Sequence, residues 1–304
     1  MRRTILLSIL PLALFATWGQ DRQVSSTDPM AAPPSAAEAS PYRATYSIDW
    51  RKRVLDLDIS LDFKKAGLSL PEGRLTAERM IARDLPGLAE SAFFEIPVDS
   101  EGSIGARVVD GSLGVDSLLA LAGKLQEVNT AFSKDLLSLR SRWELPLSEA
   151  AALFVDWKMA RALSGPPGWT ASRAYTGIVI YAQGELPVHG ERGRLDRLHR
   201  GLFPRVLSED MAVVMDRWVV DPRILVAQGP LAYVGARSAD DEARVGDEPL
   251  LIRATGLFGS YRTDLIISDD DAARILGRAE NRKLIADGRV IVVISPAKTA
   301  SFGD

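Results

Sequence analysis

VLDLDISLDF, residues 54–63, decides how this chain is read. Asp56, Asp58, Ser60 and Asp62 occupy every second position, and Leu55, Leu57, Ile59, Leu61 and Phe63 occupy the positions between. A calcium loop of the D-x-D-x-S type needs glycine at its sixth position and glutamate at its twelfth. Counted from Asp56, those positions hold Leu61 and Gly67. Strict alternation instead describes a strand with one apolar and one polar face. Upstream, Tyr46, Ile48 and Trp50 alternate in the same way, and the basic turn Arg51–Lys52–Arg53 lies between the two runs. The stretch is therefore read as a β-hairpin with an acidic, solvated face.

From this hairpin the chain is read outward in both directions. It has 304 residues, 46% of them hydrophobic, enough for one large domain or two small ones. The formal net charge is −3, without the concentrated basic face that nucleic acid demands. There is no cysteine, which excludes disulfides, thiolate metal sites and cysteine nucleophiles. At the N-terminus, Arg2 and Arg3 precede the apolar run Ile5–Ala16, which is shorter than the roughly 20 residues of a membrane span. That pattern predicts a signal peptide over 1–19, cleaved after Ala16 or Gly19, and hence a periplasmic location. The alternative is an uncleaved N-terminal anchor. Residues 20–43 are Ala/Pro/Ser-rich and read as a disordered tether.

The fold class expected is α+β: an N-terminal hairpin plus long helices, followed by a strand-rich α/β region. The first region covers 44–164. Leu70–Ile96 reads as helical with a bend at Pro86–Gly87, and Ile104–Val109 as a short strand. Leu118, Leu121, Leu125, Val128, Phe132, Leu136, Leu139 and Trp143 step by three or four, which predicts one amphipathic helix of about seven turns. A further helix is expected near Ser148. GPPGW at 165–169 supplies a linker. In 170–304, short β-branched runs predict strands at Gly177–Ala182, Pro204–Leu207, Ala212–Met215, Leu231–Val234, Leu250–Leu257, Asp264–Ser268 and Val290–Ile294. One helix interrupts them, capped by Ser268 with Asp269, Asp270 and Asp271 in its first turn.

Candidates for chemistry are few. The two histidines are His189 and His199, and no G-x-S-x-G elbow presents a serine to either. Ser295–Lys298 (SPAK) matches S-x-x-K, but it follows the last strand and contains a proline. Glu185, Glu191, Glu209 and Asp210 lie on loops where an acid pair for glycan cleavage would have to form. One basic cluster stands out: Arg192, Arg194, Arg197, His199 and Arg200, with Leu195, Leu198 and Leu202 as possible anchors. Arginine forks suit phosphate or carboxylate partners such as an anionic envelope glycan or lipid. The alternative is a solvated loop balanced by Glu191, Asp196 and Glu209. The residues nominate no metal, cofactor or catalytic group.

Within the second half, YTGIVIYAQG, LFPRVLSED, VDPRILVAQGPLAYV, RVGDEPLLIRATGLFG, TDLIISDDDAARIL and VIVVI together resemble the C-terminal part of FlgP-like flagellum-associated envelope proteins, over about residues 175–294. That resemblance implies a structural part that assembles into rings or disks near the motor, and it transfers no catalytic residue. The chain departs from the pattern in lacking a lipid-accepting cysteine. The expectation is thus a non-enzymatic periplasmic assembly protein, meeting copies of itself or envelope and flagellar proteins. The alternatives are a binding protein for an anionic envelope ligand and a carboxylate-dependent glycan hydrolase.

Overall fold

The hairpin expected at the N-terminus is present, and a four-stranded sheet grows from it. The structure is a computed structural model that describes residues 40–165 and 171–295. The predicted signal peptide, the predicted tether up to residue 39, positions 166–169 of the predicted GPPGW linker and positions 296–298 of SPAK lie outside the described residues.

Strand β1 (Tyr42–Asp49) pairs antiparallel with β2 (Val54–Asp62), in register Tyr42 to Leu61 and Asp49 to Val54. Leu55, Leu57, Ile59 and Leu61 are buried while Asp58 is exposed, as the alternation requires. The buried face packs on α1 (Gly73–Phe94), a 22-residue helix that runs through Pro86 and buries Ala77, Ile81, Leu85, Ala89 and Phe93. These positions recur every four residues, with Ala92 beside Phe93, and form the narrow stripe a helix presents to a sheet.

The structure corrects the next two expectations. Ile104–Val109 is a helix, α2, whose N-cap Ser103 accepts from the backbone N–H of Ala106. The seven-turn helix does not exist. α3 (Val115–Ala122) stops at Gly123, and the chain then forms β3 (Gln126–Phe132) and β4 (Ser138–Pro146). β4 pairs with β2 on one side and β3 on the other, giving the order β1-β2-β4-β3. Leu139 and Trp143 are four apart, a separation that keeps two residues on one face of a helix and equally on one face of a strand. The six-residue α4 (Leu147–Ala152) follows, with Pro146 rather than Ser148 at its N-cap.

The second sheet has seven strands in the order β10-β13-β5-β11-β12-β8-β9. In chain order, the second half runs β5 (Ile178–Ala182), the two-residue ladder of β6 (Leu186–Pro187) and β7 (Leu195–Asp196), β8 (Val206–Ser208), β9 (Val213–Met215), α5 (Pro222–Gln228), β10 (Ala232–Val234), α6 (Glu242–Val245), β11 (Leu250–Phe258), β12 (Asp264–Ile267), α7 (Asp269–Leu276), α8 (Ala279–Ala286) and β13 (Val290–Ile294). All seven predicted strands are there. α7 carries the expected Ser268 cap, and α5, α6 and α8 join it where one helix was expected. β10, β13, β5 and β11 run parallel. Ile178, Ile180, Val290 and Val292 face the main core, while Val179, Ile291 and Val293 form a second cluster with Val245 of α6. Burial on both faces is why these strands read as continuous apolar runs.

The two sheets are joined at the β1–β2 turn. The Arg53 guanidinium donates to the carbonyl of Val226 at 3.4 Å, and the Trp50 ring meets Tyr233 edge-on at 5.8 Å. One buried cluster runs from Leu55 to Ile294. The fold is α+β, and among the described residues no helix is long and apolar enough to cross a membrane.

Candidate functional site

Parallel strands leave a crevice beyond their carboxyl ends, where connections diverge, and ligands of open α/β sheets settle there. In this chain that position is occupied by a groove of about 670 Å³. Ala182, Gly184 and Glu185 leave β5, and Ile294 and Ser295 leave β13. Ile48 and Trp50 close one wall from β1 and its turn, Glu95 and Pro97 come from the end of α1, and the loop Arg197–Arg200 completes the rim.

Backbone bonds fix that loop. The N–H of His199 donates to the Arg262 carbonyl at 3.0 Å, that of Leu202 to Pro97 at 3.0 Å and that of Phe203 to Val98 at 2.8 Å. Beneath it, the buried Tyr233 hydroxyl accepts from the Gly201 N–H at 3.1 Å and donates to the Gly201 carbonyl. Burial pushes the Tyr233 pKa up, so this phenol stays protonated as a donor. Leu198 and Leu202 are the buried anchors, whereas Leu195 is exposed.

The five-residue basic cluster therefore divides. Arg197, His199 and Arg200 line the groove. Arg192 is exposed away from it, and Arg194 faces Asp196 at 3.6 Å. Arg197 lies 3.9 Å from Glu185 across the rim, and Arg200 forms no ion pair among the described residues. Tyr46, beside Glu95, is pushed up to about 12 by burial and then by its hydrogen bond to that carboxylate. The groove thus combines an apolar wall, one uncommitted arginine, an imidazole and two flanking acids, the composition of a small-ligand site.

The four loop acids do not converge. Glu185 lines the groove, Glu191 binds the Arg262 guanidinium at 2.6 Å, and Glu209 and Asp210 lie on the β8–β9 turn. Asp269, Asp270 and Asp271 form the first turn of α7, and the Ser295 hydroxyl accepts from the Gly184 N–H at 2.9 Å. A second cavity, of about 480 Å³, is lined by Asp99, Arg107, Arg205, Asp216, Arg217 and Trp218 among others. Its cations are already engaged. Arg107 grips Asp99 with both carboxylate oxygens within 2.9 Å, Arg205 holds the fully buried Asp264 at 2.7 Å, and Arg217 lies over the Trp218 ring. Charge satisfied internally has little left for a ligand, so the larger groove is the stronger candidate. Ile48, Trp50, Glu95 and Tyr233 carry no local signal of this role; only the pairing of two sheets brings them together.

The fold and groove define a class: two α+β regions sharing one core, with a ligand-sized crevice where the first sheet meets the parallel strands of the second. Residues 41–153 match the family model described as Treponema pallidum Tp0624, N-terminal domain. Residues 177–296 match the model described as Treponema pallidum Tp0624, second domain. The chain is thus similar to Tp0624 over two successive regions, and the predicted linker at 165–169 lies in the stretch between them. No curated protein matches the chain.

Proposed function

We propose that this is an exported, non-enzymatic envelope protein that binds an anionic ligand in the groove at the ends of β5 and β13. The observation that carries the reading is the convergence of Arg197, His199 and Arg200 on an apolar wall containing Trp50. Arg200 is free to engage a carboxylate or phosphate, while Trp50 and Ile48 offer apolar contact to a sugar ring or glycerol backbone. Export rests on the basic start and the 12-residue apolar run Ile5–Ala16. The ligand class is a sugar acid or a phosphate-bearing lipid headgroup of the envelope.

Calorimetric titration with N-acetylmuramic acid and glycerol phosphate, against N-acetylglucosamine as the neutral control, tests this. A charged hydrogen bond contributes about 1.5–3 kcal/mol, so Arg200→Gln should weaken binding by at least roughly tenfold. Arg192→Gln, outside the groove, should leave it unchanged. Equal binding of the neutral sugar, or equal loss in both variants, overturns the reading.

A second reading, assembly with copies of itself or flagellar envelope proteins, is favoured by one observation. β3 is an edge strand of the first sheet, and its Val128 is 52% exposed. Sedimentation at rising concentration tests it, because a chain that remains monomeric throughout does not self-assemble.

A further inference from the structure

The first sheet has two ends of unlike character. At one, the β1–β2 turn is held against Val226 and Tyr233. At the other, Tyr42, Leu61, Leu139 and Phe132 form the last row that all four strands share, and among the described residues no side-chain hydrogen bond or ion pair ties it to the second sheet. Three segments cap this free end: the loop after β2, the start of α1 and the β3–β4 turn. Phe63, on that loop, donates its N–H to the Leu137 carbonyl at 3.0 Å, and its ring lies 5.8 Å from that of Phe132. The Arg74 guanidinium of α1 sits over the same Phe132 ring at 5.4 Å. These contacts bring the three segments together.

Their surface is apolar and cationic at once. Leu136 and Leu137 are 55% and 62% exposed at the tip of the β3–β4 turn, and Leu70 and Leu75 are exposed on the neighbouring segments. The turn is built to hold its leucines outward. The Ser133 hydroxyl donates to Asp135 and accepts from the Ser138 N–H at 3.0 Å, Asp135 also accepts from the Leu137 N–H, and Leu136 adopts φ +60°. Around the leucines stand Arg43, Lys64, Lys65, Arg74, Lys134 and Arg140, all exposed. Arg43 and Arg140 flank Ser60 in one cross-strand row of the sheet's open face. Acids at this end are fewer, four against six cations: Asp62 and Asp135 accept backbone N–H groups of their own turns, Glu78 pairs with Arg74, and Glu72 is exposed at the N-cap of α1. In a chain of net charge −3, this end carries the opposite sign.

We infer that the free end of the β1-β2-β4-β3 sheet docks on an anionic lipid surface, with Leu136 and Leu137 entering the interfacial layer and the lysines and arginines meeting headgroup phosphates. Exposed leucines ringed by basic residues match that partner in both polarity and charge. The chain also enters the sheet at Tyr42, at this same end, so the 39 residues preceding Ser40 lead directly to it. The inference does not depend on the groove.

Because the chain lacks cysteine, a single nitroxide can be placed at will. Full-length protein labelled at Leu137→Cys is mixed with vesicles of phosphatidylglycerol in phosphatidylcholine, and a second preparation labelled at Lys52→Cys reports the opposite end. The label at 137 should gain collisions with oxygen and lose access to a water-soluble nickel complex, while the label at 52 stays aqueous. A cation near an anionic surface contributes about fivefold in affinity, so Lys64→Gln with Lys65→Gln should weaken vesicle binding roughly 25-fold. Both substituted side chains are exposed, so folding is unaffected. Two aqueous labels, as attachment through the N-terminal segment alone would give, overturn the inference. Equal binding to phosphatidylcholine alone does the same.

Discussion

Two arginines bury their guanidinium groups beside each other at the end of α5, and removing one or the other should have very different effects. Arg244 donates to three carbonyls, Gly288 at 2.8 Å, Gly229 at 2.9 Å and Gln228 at 3.3 Å. These include the acceptors that α5 leaves unsatisfied at its C-terminus, where a cation also suits the helix dipole. Arg53 makes one long bond, 3.4 Å to Val226, and its Nε finds no partner among the described residues. Burial disfavours both charges, and Arg53 further disfavours that of Arg244. Arg244→Met keeps the apolar stem but strands two closely bound carbonyls, at about 1–3 kcal/mol each, so the expected loss is about 3–4 kcal/mol. Arg53→Met gives up one weak bond and relieves a like-charge contact, so its effect should stay within about 1 kcal/mol. In the double variant, Arg244→Met should cost more than it does alone, because the guanidinium it removes is no longer repelled. Urea unfolding at constant slope measures all three. If Arg53→Met destabilises as much as Arg244→Met, the argument from hydrogen-bond satisfaction is wrong.

Tyr233→Phe removes the hydroxyl that satisfies both Gly201 groups, and should cost about 1–3 kcal/mol while weakening anion binding through the loosened Arg200 loop; unfolding and titration on the same variant check both. Gly177→Ala would put a Cβ 2.4 Å from the Val245 Cα and 2.5 Å from its carbonyl oxygen, both backbone atoms, and should destabilise by about 3 kcal/mol or more in urea. Tyr42 and Tyr46 are pushed up from 10.0 to about 12, first by burial and then by hydrogen bonds to Asp84 and Glu95. The unfolded chain therefore releases these protons from about pH 10 while the folded protein keeps them. Stability present below pH 10 should fall as the pH rises from 10 to 12, and Tyr42→Phe with Tyr46→Phe should flatten that fall in pH-dependent unfolding.

The second half was legible because its strands are short, β-branched and bounded by turn residues, so local pattern and final structure agree at Ile178–Ala182, Asp264–Ile267 and Val290–Ile294. In the first half the α+β class and the hairpin were legible for the same reason. The misread helix shows where pattern fails. Leu118 and Leu121 do share a helix face, and Leu139 and Trp143 a strand face, but the stripe was carried through Val128 and Leu136, which are exposed. Gly123 marked the break, and Leu139, Trp143 and Leu145 held to alternate positions, a weaker pattern than the hairpin's because the polar Ser141 interrupts it. Of the groove, the sequence contained Arg197, His199 and Arg200 as a cluster, since they are neighbours in the chain. It could not separate them from Arg192 and Arg194, because that division depends on which way a loop turns. Trp50 and Tyr233 lie 183 positions apart, and no local spacing connects them.

The order of the second sheet also constrains how the molecule is made. β13 is the last strand of the described residues, yet it lies between β10 and β5 and holds both in parallel. Until Val290–Ile294 have been synthesised, β10 has no strand partner and β5 presents a bare edge, so the outermost strand is cut off from the other five. A chain halted before Val290 is left with two sticky borders rather than a slightly shorter protein, and should be cleared or aggregate. The molecule closes from its tail.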